Sequence, residues 1–214
     1  MIIYTILFYI SMILGFVPIL LFFSFKGRFS DSSYKGILPF ICLVAFASFY
    51  ELIFSHYLKV NVENWFKIYA LLEFILVVIL FYGQKNRPSR YFFWIFSFLY
   101  LTVFTFLTLR SQEIHYLKQD SFLNLIMIFF IISYATIWFY KNFKSMESNS
   151  LLELPFFYLL SGLLIYYSGT IVLSLLSESI VKSPMKIYDY WLVHICFLIL
   201  FRIFIVVSIW KGRT

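Results

Sequence analysis

Seven apolar stretches follow one another along the chain, at 3–25, 36–56, 65–83, 91–110, 121–140, 154–177 and 190–210. Each is close to the ~20 residues that a helix needs to cross the hydrocarbon core of a bilayer. The runs are continuous, whereas barrel strands would alternate apolar and polar positions. The pattern therefore predicts an all-α fold: a polytopic membrane protein, one seven-transmembrane-helix bundle occupying 1–214 as a single domain.

Five tryptophans mark the ends of these stretches. Trp65, Trp94 and Trp191 open segments, and Trp138 and Trp210 close them. Indole favours the headgroup interface, so all five are expected in an aromatic belt. The first segment reads as a retained helix bent at Pro18, because it lacks a basic n-region and a small-residue cleavage site.

The basic residues set the expected orientation. Lys26, Arg28, Lys35, Lys85, Arg87, Arg90, Lys141, Lys144, Lys211 and Arg213 fall on one side. Lys59, Lys67, Arg110, Lys118, Lys182 and Lys186 fall on the other. The richer side belongs in the cytoplasm, which places the N-terminus outside and the C-terminus inside.

Composition agrees with a membrane location. Hydrophobic residues make up 63% of the chain and charged residues 13%, with a mean hydropathy of +0.91. The net charge of +7 is scattered over short loops. No basic stripe is available for nucleic acid, so anionic lipid headgroups are the expected counter-charge. Cys42 and Cys196 lie inside spans and offer neither a disulfide framework nor a zinc knuckle. Glutamates in the second and third segments have no counterparts in the sixth and seventh, which argues against an inverted repeat.

Candidate chemistry lies in the polar residues inside spans, where a charge must find a partner or water. Glu51, Glu73 and Arg202 qualify. Ser48, Glu51 and Ser55 share a helical face at i, i+3 and i+7, and Tyr69 stands four residues before Glu73. The short connection makes the second and third helices antiparallel neighbours, with both carboxyls in the outer half of the bundle. Arg202 can extend toward Glu73, beneath His194, and Tyr69 can hydrogen-bond a carboxylate. Ser161, Gly162, Ser168 and Gly169 give the sixth helix a small face beside Tyr166 and Tyr167, suited first to close helix packing. His56 and His194 read as interfacial residues, and His115 as a solvated loop residue.

Enzyme motifs such as G-x-S-x-G, H-E-x-x-H and the Walker loop are absent. Ser48, Glu51, His56, Glu73 and His194 nevertheless resemble scattered positions of the ceramidase and adiponectin-receptor superfamily, which implies a zinc-dependent lipid hydrolase. Leu198 stands where that family's seventh-helix histidine pair would be completed, so no metal or other cofactor is expected.

A broader resemblance covers 50–76 (YELIFSHYLKVNVENWFKIYALLEFIL) and 155–177 (PFFYLLSGLLIYYSGTIVLSLLS). These stretches are similar to a group of small bacterial seven-helix proteins often encoded near two-component signalling genes. The resemblance implies Glu51, Asn64, Tyr69 and Glu73 as recurrent polar positions, together with the run 164–169. It implies a multi-pass protein of the bacterial cytoplasmic (inner) membrane in a sensory or signalling role.

The expected function is thus a non-enzymatic, receptor-like sensor or accessory subunit with a pocket in the outer half of the bundle. Glu51, Glu73, Arg202, Tyr69, Ser48, Asn64, His194 and Tyr166 would form that pocket. Its partners would be the lipid bilayer, a membrane or cytoplasmic protein that passes the signal on, and a small-molecule or lipid ligand. An intramembrane lipid hydrolase is the alternative, and a small transporter or permease subunit the third.

Overall fold

The computed structural model describes residues 2–25, 36–58, 60, 63–84, 87–110, 116–145, 151–175 and 184–213. All regular structure among them is helical. The helices are α1 (Ile2–Ser24), α2 (Ile37–Tyr50), α3 (Glu63–Tyr82), α4 (Arg90–Leu109), α5 (Tyr116–Ser145), α6 (Pro155–Leu175) and α7 (Pro184–Lys211). Seven helical stretches, one in each apolar run, are long and apolar enough to cross a membrane. The expected spans hold to within a few residues for most helices. α5 and α7 run further, because polar residues at their ends extend a helix as readily as apolar ones. The loop expected at 26–35, and His115, lie outside the described residues, as do the side chains of Ser55 and His56.

Local signals account for several boundaries. α6 and α7 both begin at proline, whose fixed φ and missing N–H suit a first helical position. α2 does not stop at Tyr50. It widens into a π-helix over Glu51–Tyr57, seen where Leu58 N donates to Ile53 O at 2.9 Å, five residues back. The i, i+3, i+7 face expected for Ser48, Glu51 and Ser55 assumed an unbroken 3.6-residue period, and this wider turn ends that period at Glu51.

Helix contacts run α1–α2, α2–α3, α3–α5, α5–α6, α6–α7 and α7–α1, closing a ring. α4 leans on α3 and α5 from outside. Its outer face carries Tyr91, Trp94, Ile95 and Phe98, all well exposed. Aromatic packing fills the wall between α3, α4 and α5. Phe74 stacks on Tyr100 with centroids 3.9 Å apart, Phe81 stacks on Tyr134 at 3.9 Å, and Phe130 sits between these pairs. The two phenols bond to backbone carbonyls, Tyr100 to Ala70 at 2.9 Å and Tyr134 to Phe81 at 3.2 Å. Such partners matter where no water is at hand.

The tryptophans do not form one outward belt. Trp94 and Trp210 are exposed, whereas Trp65 and Trp138 are buried. Trp65 stacks on Tyr50 at 4.2 Å, and Trp138 packs edge-on against Phe156 at 5.3 Å. Ring partners on neighbouring helices have drawn these two indoles inward.

The glycines of the sixth helix serve close packing, as their spacing led us to expect. A Cβ at Gly162 would lie 2.6 Å from Phe204 Cβ, and one at Gly169 2.4 Å from the Phe197 ring. These contacts let α6 and α7 approach along much of their length. Ser168, by contrast, is exposed.

Candidate functional site

A cavity of about 90 Å³ lies among α2, α3, α5, α6 and α7. α3 and α7 contribute most of the wall, through residues one turn apart. α3 supplies Trp65, Tyr69 and Glu73 at four-residue intervals, and α7 supplies His194, Leu198 and Arg202 in the same way. Glu51 enters from the junction between the α and π parts of the second helix, Asn124 from α5 and Tyr166 from α6. Leu198, the position that lacks a histidine, is part of this wall.

Glu51, Tyr69, Glu73, Tyr166, His194 and Arg202 thus come together as lining residues. Ser48 is buried beside them and reaches the cluster through Arg202. Asn64 is different: it is exposed at the start of α3, and the cavity wall there is made by Trp65 and Phe66. One residue along a helix turns a side chain by about 100°, which is enough to exchange Asn64 for Trp65.

Arg202 is 2% exposed, and two serines hold its guanidinium. Nη1 donates to the Ser11 backbone carbonyl and to Ser11 Oγ at 2.7 Å; Nη2 donates to Ser48 Oγ at 2.9 Å. Ser48 in turn donates to the Val44 carbonyl at 3.0 Å. Gly15 makes room for this junction, since a Cβ there would lie 2.0 Å from Ser48 Oγ and 3.3 Å from Arg202 Cζ. Arg202 Nε is buried without a hydrogen-bond partner.

The expected Arg202–Glu73 pair is not how the guanidinium is satisfied. Its hydrogen bonds go to α1 and α2, and Glu51 is the carboxyl within its electrostatic reach. Glu73 turns to a phenol instead. Tyr69 Oη donates to Glu73 Oε1 at 3.3 Å, a long bond. The Tyr167 hydroxyl is buried and has no hydrogen-bond partner. α1 lies against α7 in the ring, so neutral serine acceptors are nearer to the arginine than the second carboxylate.

Aromatic neighbours fix the remaining side chains. His194 packs edge-on against Tyr166 at 5.8 Å and against Trp191 at 5.7 Å. Trp191 also stacks on Phe66 at 6.4 Å. Among the described residues, no three His, Cys, Asp or Glu side chains stand close enough to hold a metal ion.

Sequence reasoning missed Ser11, Gly15 and Asn124. Ser11 and Gly15 stand four apart in the middle of the largely apolar α1, which is a detectable small-residue face. Asn124 is an amide within the apolar run of α5 and could have been found by the same argument that selected the glutamates.

The fold and this site define a multi-pass helical protein of the kind that associates with a lipid bilayer, carrying a charged cluster within its bundle. Neither a protein-family model, nor a curated protein, nor a solved structure matches the chain.

Proposed function

We propose that the protein is a receptor-like sensor or accessory subunit of the bacterial inner membrane. Its N-terminus would face outward, and a ligand in the polar cavity would be signalled through a protein partner. One observation carries this reading: three ionisable side chains, Glu51, Glu73 and Arg202, border a preformed cavity within an otherwise apolar bundle. Charges at such depth are costly, and they concentrate at sites of ligand or ion handling. Pockets of this kind, apolar with a few convergent polar groups, are the usual form of a small-molecule site. The ten-to-six distribution of basic residues supports the orientation.

Native mass spectrometry of the purified chain in lipid nanodiscs tests the proposal. A small-molecule adduct that is retained by the wild type and lost from Glu51→Gln is the expected result. Stoichiometric zinc together with lipid hydrolysis, both abolished by His194→Ala, would replace the sensor with the hydrolase.

A further inference from the structure

The cavity wall combines two kinds of chemistry. Glu51 and Glu73 bring carboxyls, and Trp65, Tyr69, Tyr166 and Trp191 bring aromatic rings. Arg202 is the one permanent cation among the described lining residues, and both its terminal nitrogens are already engaged by serines. The wall thus holds two acidic side chains against one guanidinium.

We propose that this cavity binds a small organic ammonium ion, with Glu51 and Glu73 as counter-charge and the four aromatic side chains as its cage. The inference rests on reading the cavity as a ligand site and narrows that reading to a chemical class. A monovalent cation supplies a partner for the carboxyl that Arg202 leaves over, and such pairing matters most in a low-dielectric interior. Aromatic faces attract cations, and cages of this composition recognise ammonium groups. Hard inorganic cations are a poorer fit, because magnesium and calcium favour a shell of carboxylates, carbonyls and water, whereas much of this wall is aromatic carbon. Anions are disfavoured by the two carboxyls and by the prior commitment of Arg202.

Size narrows the class further. A cavity of roughly 150 Å³ accommodates benzene, so about 90 Å³ suits a smaller guest or the ammonium end of a longer one. The cage is also preorganised. Trp65 is stacked on Tyr50, and Trp191 is held by Phe66 and His194. Little side-chain ordering then remains to be done on binding.

The test titrates the full chain in nanodiscs with methylammonium or dimethylammonium chloride, against sodium chloride and sodium acetate at equal ionic strength. Thermal unfolding and tryptophan emission are read together, since Trp65 and Trp191 stand in the wall. The expected result is a saturable response to an ammonium salt beyond that of sodium chloride. Glu51→Gln and Glu73→Gln should each weaken it about tenfold or more, while Glu51→Asp should retain most of it. The comparison of salts on the wild type needs no variant to fold. No saturation by either ammonium, or an undiminished response in both glutamine variants, would overturn the proposal. Saturation by acetate instead would also overturn it while leaving the receptor reading in place. The zinc and lipid-hydrolysis result described above would remove both.

Discussion

Arg202 of α7 and Ser48 of α2 stand 154 residues apart in the chain and meet across a 2.9 Å hydrogen bond. Ser48 spends its own proton on Val44, so its oxygen is free to accept from the guanidinium. The same two helices also meet at the rings of Phe40 and Phe201, whose centroids lie 6.1 Å apart.

Hydrogen bonds to a charged group contribute about 1.5–3 kcal/mol. Ser48→Ala should therefore lower stability by about 2 kcal/mol, measured by denaturant unfolding in detergent micelles. An unchanged midpoint would mean that Ser11 alone suffices to hold the arginine.

A pair of double-mutant cycles separates the two carboxyls. Arg202→Gln combined with Glu51→Gln should show a coupling of about 0.5–3 kcal/mol, as expected for groups in one network. Arg202→Gln with Glu73→Gln should couple more weakly, because Glu73 is turned toward Tyr69. Equal coupling in both cycles would place the two glutamates on the arginine alike.

The two glycines of α6 should differ in their tolerance of alanine. At Gly162 the new methyl would meet Phe204 Cβ, which cannot rotate away. At Gly169 it would meet the far edge of the Phe197 ring, which can. Gly162→Ala should thus cost about 1–3 kcal/mol, and Gly169→Ala less, even though its nearest contact is shorter. A reversed order in thermal melts would show that α7 moves as a body instead of one ring turning.

Orientation is open to labelling in intact cells. Single cysteines at Ser30 and Ser32 should resist impermeant thiol reagents, and those at Gln112 and Ser183 should react. The opposite pattern would show that the distribution of lysine and arginine does not govern this chain.

Much of the architecture was legible because hydropathy alone decides it: apolar runs such as 91–110 and 190–210 can hardly be anything but helices. The polar cluster was partly legible, since Glu51, Glu73 and Arg202 stand out in spans where charge is expensive. Their pairing was not. Depth arguments treat helices as rods at known heights and say nothing about which neighbours a ring topology supplies. Ser11 could not be matched to Arg202 until α1 was known to lie against α7. The π turn at Glu51 was also hidden, because ELIFSHY contains no proline or glycine to mark a change of winding. Asn64 and Trp65 show the remaining difficulty. A shift of one residue in helical phase decides which of them faces inward, and the start of α3 gave no signal to set that phase.

The serine grip on Arg202 joins residue 11 to residue 202, a separation of 191 positions. A ribosome adding ~5–20 residues per second needs on the order of 10–40 s to cover that distance. Throughout that interval α1 lacks the helix that closes the ring beside it, and the Gly15 notch has no guanidinium to receive. α7 is thus the helix that closes the ring between α6 and α1. A chain halted before Arg202 would lack the guanidinium that Ser11 and Ser48 share, and with it the contact that ties α1 and α2 to α7.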